Sequence, residues 1–209
     1  MATTRAALTD EDIRTLVKGA TPDERAFAAR KICRRLDVAV LSDEDRAHAQ
    51  EILRVMAHDA AEMVREALSV TLKSSPLVPH DVAVQLAQDV ERICVPILGA
   101  SPVFTDADLV EIVRIGGPLR QVVVAKRPQV SKAVTRAIVE HGEEEAVEAA
   151  CANDNAEFAD ETLDAAVTRF ERSERVLAAM AYRDALPLAV TEKLVGLVGE
   201  QVRDRLLNR

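Results

Sequence analysis

Histidines, cysteines and carboxylates are the residues here that could ligate a metal or move a proton. The histidines are His48, His58, His80 and His141. None forms an HxxxH or HExxH pair, and no cysteine lies at ligand spacing from any of them. Each is expected at or near a helix end, where a solvated or capping imidazole is the ordinary outcome. Cys33, Cys94 and Cys151 are odd in number, widely spaced and without a CxxC pair, so they form no disulfide framework. Each falls in an apolar-periodic segment and is expected as a buried small hydrophobe. There is no GxGxxG, GxxxxGK[ST] or GxSxG motif. Gly116-Gly117-Pro118 lacks the Gly-Lys-Ser/Thr of a phosphate loop and predicts a helix end. Asn153-Asp154-Asn155 lacks the glycine and distal glutamate of a calcium loop and predicts a turn. Glu143-Glu144-Glu145 suits the positive end of a helix dipole. No catalytic residue, cofactor or metal is expected, and the chain does not read as an enzyme.

One charge pattern stands above this background. From Ile112 to Val139 there is no Asp or Glu, but there are Arg114, Arg120, Lys126, Arg127, Lys132 and Arg136, a sum of +6. From Glu140 to Arg175, twelve acids face three arginines, a net of −9. The basic strip could hold an acidic partner: a peptide, a phosphorylated protein or a nucleotide. Alternatively, basic and acidic segments neutralise one another or are simply solvated, and exposed ion pairs of that kind contribute only about 0–1 kcal/mol each.

The elements that must position these groups are helices. Apolar residues make up 48% of the 209, with no Trp, one Tyr and four Phe. Small aliphatic side chains suit closely packed helices and offer little for base stacking. A net charge of −8 and a pI near 5.1 argue against a nucleic-acid backbone as partner. No window holds 18 consecutive apolar residues, and the N-terminus shows no apolar signal core. The expectation is a cytoplasmic protein with no membrane segment.

An apolar residue followed by a helix-starting cluster recurs at Leu41, Leu77, Phe104, Val130, Phe158 and Leu186, with gaps of 36, 27, 26, 28 and 28. That period is the mark of stacked helical units. Thr9, Thr21, Ser42, Pro79, Thr105 and Ser131 open helices, Thr21-Pro22-Asp23-Glu24 as a capping box. Ile13, Leu16 and Val17 share a face of the first helix, and Phe27, Ile32 and Leu36 are carried by the second. Ala60–Lys73 is a fourth. Pro96 must kink or end its helix. Val122-Val123-Val124 could pass for a strand, but it would have nothing to pair with and is read as helix. Short helices follow near 143–152, 160–172, 174–184 and 191–207. In the last, Leu194, Val198, Val202 and Leu206 form a stripe widened by Leu197. Gly196 and Gly199 sit inside it at roughly 1 kcal/mol each, a cost that close approach of another helix would explain. The expectation is one continuous all-α body over 1–209, with 1–40 as an N-terminal helical cap.

On these features the chain resembles a HEAT-like α-solenoid: paired antiparallel helices, the proline at 96, and the phrase Asp59…Met63-Val64-Arg65-Glu66-Ala67-Leu68. In such repeats the Asp…Val-Arg elements tie neighbours through a hydrogen-bonded ladder. Asp89-Val90-Glu91-Arg92 is a looser match, and later units lose the phrase. The segments Leu86-Ala87-Gln88-Asp89, Ser101 to Val110 and Ala125-Lys126-Arg127-Pro128 resemble a family of alphaproteobacterial proteins without established activity. That resemblance implies a fold and a lineage but no reaction.

A stacked-helix array usually holds partners. The leading expectation is a non-catalytic protein–protein interaction scaffold whose acidic partner docks on the strip of six cations. A sensor of a small anionic ligand through residues 114–136 is the alternative. A HEAT-like nucleic-acid enzyme is weakest, given the acidic charge and missing tryptophan. Close approach at the C-terminal helix is expected first from a neighbour in the array, with a homodimer through that helix as the alternative.

Overall fold

The computed structural model describes residues 21–36 and 42–199, together with Thr15, Lys18, Arg203 and Leu207. The first expected helix with Ile13, Leu16 and Val17, the anchor Leu41, and Val202 and Leu206 lie outside the described residues. Of the expected cap, 1–40, only Thr15, Lys18 and residues 21–36 are described.

Within the described residues there are twelve helices and no strand. The first unit, ending at Phe104, contains α1 (Pro22–Leu36), α2 (Asp43–Ala57), α3 (Glu62–Leu72), α4 (His80–Ala87) and α5 (Glu91–Ala100). The second, beginning at Thr105, contains α6 (Asp106–Ile115), α7 (Gly117–Ala125), α8 (Lys132–His141), α9 (Glu144–Cys151), α10 (Asp160–Arg169), α11 (Glu174–Ala181) and α12 (Leu188–Leu197).

The helix starts are encoded locally. The Thr21 hydroxyl accepts from the Glu24 amide while the Glu24 carboxylate accepts from the Thr21 amide, a reciprocal capping box. Thr105 and Asp108 do the same for α6. Ser42, Ser131 and Ser173 cap α2, α8 and α11. The recurring anchors fall into register with this order. Leu77, Phe104, Val130, Phe158 and Leu186 each sit in the connection before an even-numbered helix, so one phrase encodes one helix pair.

Packing follows the pairing. In the first unit α1 lies on α3, α3 on α5, and α2 on α4. The buried residues of α1 are Ala26, Ala28, Ala29, Ile32, Cys33 and Leu36, mostly small side chains that let helices approach closely. The buried Ser69 hydroxyl on α3 donates to the Ile93 carbonyl of α5, and Gln85 Nε2 on α4 donates to the Ala57 carbonyl ending α2. In the second unit α6 lies on α8, α7 on α9, α9 on α11, and α10 on α12. Val130 and Ala156, from successive connections, form a single parallel bridge with the Glu157 amide donating to the Val130 carbonyl at 2.8 Å.

Of the two outcomes expected of Pro96, a kink or a helix end, the end is not taken: α5 runs on to Ala100, and Arg92, whose carbonyl loses its helical donor, is exposed to solvent. Two further expectations need adjustment. His48 lies well inside α2 and not at its end, exposed on the solvent side. The helix expected near 191–207 is interrupted: α12 starts at Leu188 and stops at Leu197 with Val198 extended, so Gly199 lies outside α12, and the described Arg203 and Leu207 are helical again beyond it. A Cβ at Gly196 would meet nothing within 4 Å, so among the described residues no helix approaches closely there.

Candidate interaction surface

The six cations expected to form one strip fall into three places. Arg114 stands exposed in the last turn of α6, its Nε and Nη2 donating to the two Glu111 carboxylate oxygens at 3.0 and 2.8 Å. Those hydrogen bonds hold the Glu111 carboxyl below its ordinary range and raise Arg114 above its own. Glu111 sits one residue before the acid-free window, and the i,i+3 spacing that makes it a partner was legible in the sequence. Arg120, half-buried on α7, donates from Nη1 to the Gly116 carbonyl at 3.4 Å.

Lys126 is exposed where α7 ends. Arg127 is the correction: at 8% exposure it belongs to the interior, and desolvation pulls its pKa down. Its backbone helps to hold a neighbouring turn, because Asn153 Nδ2 donates to the carbonyls of Ala125 and Arg127 at 2.9 and 2.8 Å. Asn153-Asp154-Asn155 is thus the turn expected, and it also ties the α7 connection to the α9 connection. Lys132 and Arg136, four residues apart, share an exposed face of α8.

Sequence reasoning passed over the apolar groups beside these cations. Ile115 is 68% exposed and Leu119 39%, four residues apart across the Gly116–Gly117 corner, flanked by Arg114 and Arg120. Helical periodicity assigns such residues to the core, and nothing local marks the two that are not. Phe27 is likewise on the outer face of α1, with Arg30, Lys31, Arg34 and Arg35 following it. The i, i+3, i+4, i+7 spacing of Phe27, Arg30, Lys31 and Arg34 was available to find that face.

The second unit also holds an open pocket of about 800 Å³ beside Lys132, floored by Phe158, Leu163, Leu186 and Pro187. Arg183 lies inside it. Its Nη1 donates to the carbonyls of Cys151 and Asn153 at 3.1 and 3.0 Å, its Nη2 to that of Ala156 at 2.7 Å, and its guanidinium covers the Phe158 ring at 4.8 Å.

Among the described residues no group of three His, Cys, Asp or Glu is placed to hold a metal ion. His58 sits at the end of α2 with Nδ1 2.8 Å from the Arg54 carbonyl, and His80 and His141 occupy the first and last positions of α4 and α8. The three cysteines are buried. No described helix is long and apolar enough to cross a membrane.

The class defined by these features is an all-helical protein built from helix pairs, with basic and apolar groups together on its surface. Residues 93–209, more than half the chain, match the family described as an uncharacterised protein conserved in bacteria (DUF2336), and the chain belongs to that family. No curated protein and no solved structure matches it.

Proposed function

We propose that this chain is a non-catalytic, cytoplasmic interaction scaffold of HEAT-like arrangement and alphaproteobacterial lineage, which docks an acidic protein partner at the α6–α7 corner. The observation that carries the site is the exposure of Ile115 and Leu119 at one corner, each next in sequence to an arginine, Arg114 and Arg120. An apolar centre with arginines around it is the composition of a protein-binding hot spot, whereas lone surface cations bind weakly. The HEAT-like arrangement is supported by alternate-helix packing and by the arginine–aspartate ties of the first unit, Arg25 to Asp59 and Arg65 to Asp89. Sensing of a small anion has less support. Lys132 and Arg136 are exposed together, but the pocket beside Lys132 carries Glu157, Asp160 and Asp184, which repel anions.

A tagged pull-down from native-host lysate, read by mass spectrometry, tests the proposal. The comparison protein carries Arg114→Glu, Ile115→Asp, Leu119→Asp and Arg120→Glu and is checked for native helicity. Arg127 is left alone because it is buried. A partner captured by the wild type and lost by the variant is the expected result. The same partners with both would remove the corner as the site, and no partner with either would remove the scaffold.

A further inference from the structure

α1 divides cleanly into two faces. Ala26, Ala28, Ala29, Ile32, Cys33 and Leu36 are buried and complete its share of the core. Phe27 is on the other side at 70% exposure, so it is not needed for that packing. Arg30, Lys31 and Arg34 follow it at the spacings that keep them on its face, with Arg35 beside them, Arg30 and Arg34 being exposed. The result is an exposed aromatic side chain, the Phe27 knob, that shares an open surface with the cations around it.

The second unit presents the opposite relief and the opposite charge. Its open pocket, about 800 Å³, has an apolar floor of Phe158, Leu163, Leu186 and Pro187. Glu157, Asp160 and Asp184 supply three carboxylates to its lining, all on exposed residues. Of the two cations there, Arg183 directs its donors to three backbone carbonyls and its face to Phe158, which leaves Lys132 as the outward one. The pocket has the size of an ordinary binding cleft and ample room for one aromatic side chain.

We infer that the Phe27 knob of one copy of this chain enters the α10–α12 pocket of a second copy, the cations of α1 meeting the carboxylates of the pocket. A polyanion such as nucleic acid or an anionic lipid surface would satisfy the cations of α1 but would be repelled by the carboxylates. A second copy accounts for both surfaces with one contact. Because each copy carries both halves, self-association grows with concentration, whether two copies exchange the contact reciprocally or the contact propagates from copy to copy. Charge pairing at an open rim is screened, so the association weakens as salt rises.

Sedimentation velocity of the full chain over a range of concentrations, at low and high salt, reads this directly. At low salt the average mass is expected to climb from 22.8 kDa to at least twice that value as concentration rises, and to fall back at high salt. A knob variant, Phe27→Ala with Arg30→Glu and Arg34→Glu, and a pocket variant, Glu157→Lys with Asp184→Lys, are each expected to stay monomeric while keeping native helicity. Mixed, they are expected to form a two-chain species and nothing larger, since only one intact knob and one intact pocket remain. Both variants leave the α6–α7 corner untouched, so this outcome is independent of the scaffold proposal. Wild type that stays monomeric at low salt overturns the inference, as does self-association that both variants retain or a mixture that does not pair. Binding of wild type, and not of the knob variant, to DNA or anionic vesicles with no self-association would also overturn it and give the knob to a polyanion.

Discussion

Arg65 and Asp89, twenty-four residues apart in sequence, meet through a bidentate pair: Nε and Nη2 donate to the two carboxylate oxygens at 2.5 and 3.0 Å. The third donor group, Nη1, reaches back to the Asp59 carbonyl at 2.8 Å. The Asp59 carboxylate in turn receives Arg25 Nε and Nη2 at 2.8 and 3.1 Å. One ladder therefore runs from α1 through the α2–α3 turn and α3 to the α4–α5 turn. Each aspartate also accepts a nearby backbone amide, that of Ala61 for Asp59 and of Val90 for Asp89, which fixes the turn that presents it.

The pair should be measurable as a coupling. Arg65 and Asp89 side chains are only 17% and 13% exposed, so truncating one strands the other's polar atoms in a poorly hydrated place. Arg65→Met and Asp89→Asn are each expected to lower unfolding free energy by roughly 1–2 kcal/mol after solvent screening. In a double-mutant cycle by urea denaturation, the double variant should lose clearly less than the sum. Strict additivity would mean that the two side chains do not interact in solution.

Acid should loosen the first unit through the same groups. The hydrogen bonds from Arg65 to Asp89 and from Arg25 to Asp59 hold both carboxyls below their ordinary range, with the backbone amides adding to the effect. In the unfolded chain an aspartate titrates near about 3.9. Above that value both states are ionised and the stabilisation is fully present. Below it the unfolded chain binds protons first, so stability falls until the folded-state pKa values are passed. Urea midpoints measured from about pH 5 down to about pH 2 should show that decline, with a shallower slope in Arg65→Met.

The ladder also shows what was legible beforehand. The phrase Asp59…Val64-Arg65 was readable because donor and acceptor chemistry sit at a fixed offset within one helix pair. In the second unit Arg183 and Arg169 tie to carbonyls instead, Arg183 to three of them and Arg169 Nη1 to that of Val139. Every residue has a carbonyl, so no sequence signal names the acceptor. Caps and the helix-pair period were readable for the same local reasons. The inward turn of Arg127 and the outward turn of Phe27, Ile115 and Leu119 were not, because each is decided by the neighbouring helices and not by the spacing within its own.

Arg183 is expected to be the costliest polar truncation in the second unit. Arg183→Met leaves the carbonyls of Cys151, Asn153 and Ala156 without this donor and uncovers Phe158. The loss should be about 2–4 kcal/mol by urea denaturation. Arg183→Lys should recover little of it, since one ammonium cannot replace a planar fork that serves two directions and stacks on a ring. Full recovery by lysine would mean that charge alone matters there.

Thiol reagents should find nothing to attack in the native state. Cys33, Cys94 and Cys151 are buried, and burial pushes the Cys151 thiol up to about 12, leaving almost no thiolate near neutrality. Ellman's reagent should be silent on the folded protein and report all three thiols after denaturation. A rapid native reaction at any of them would place that cysteine at the surface.

The Gly116–Gly117 corner should separate two glycine requirements that look identical in sequence. Gly117 has a φ of 73°, in the left-handed region, yet a Cβ there would meet nothing within 4 Å. Gly117→Ala should therefore incur only backbone strain, roughly 1–2 kcal/mol, and Gly117→Asn somewhat less because asparagine tolerates that region better. Gly116 has an ordinary φ of −82°, but a Cβ there would stand 2.3 Å from the Ile112 carbonyl and 3.1 Å from Arg120. Its amide already donates to that carbonyl at 2.7 Å, so the last turn of α6 would have to shift. Gly116→Ala should cost more than Gly117→Ala, and asparagine should give no relief at 116. Urea denaturation of the four variants decides it: the reverse order would mean that strain at Gly117, and not crowding at Gly116, holds the corner that presents Ile115 and Leu119.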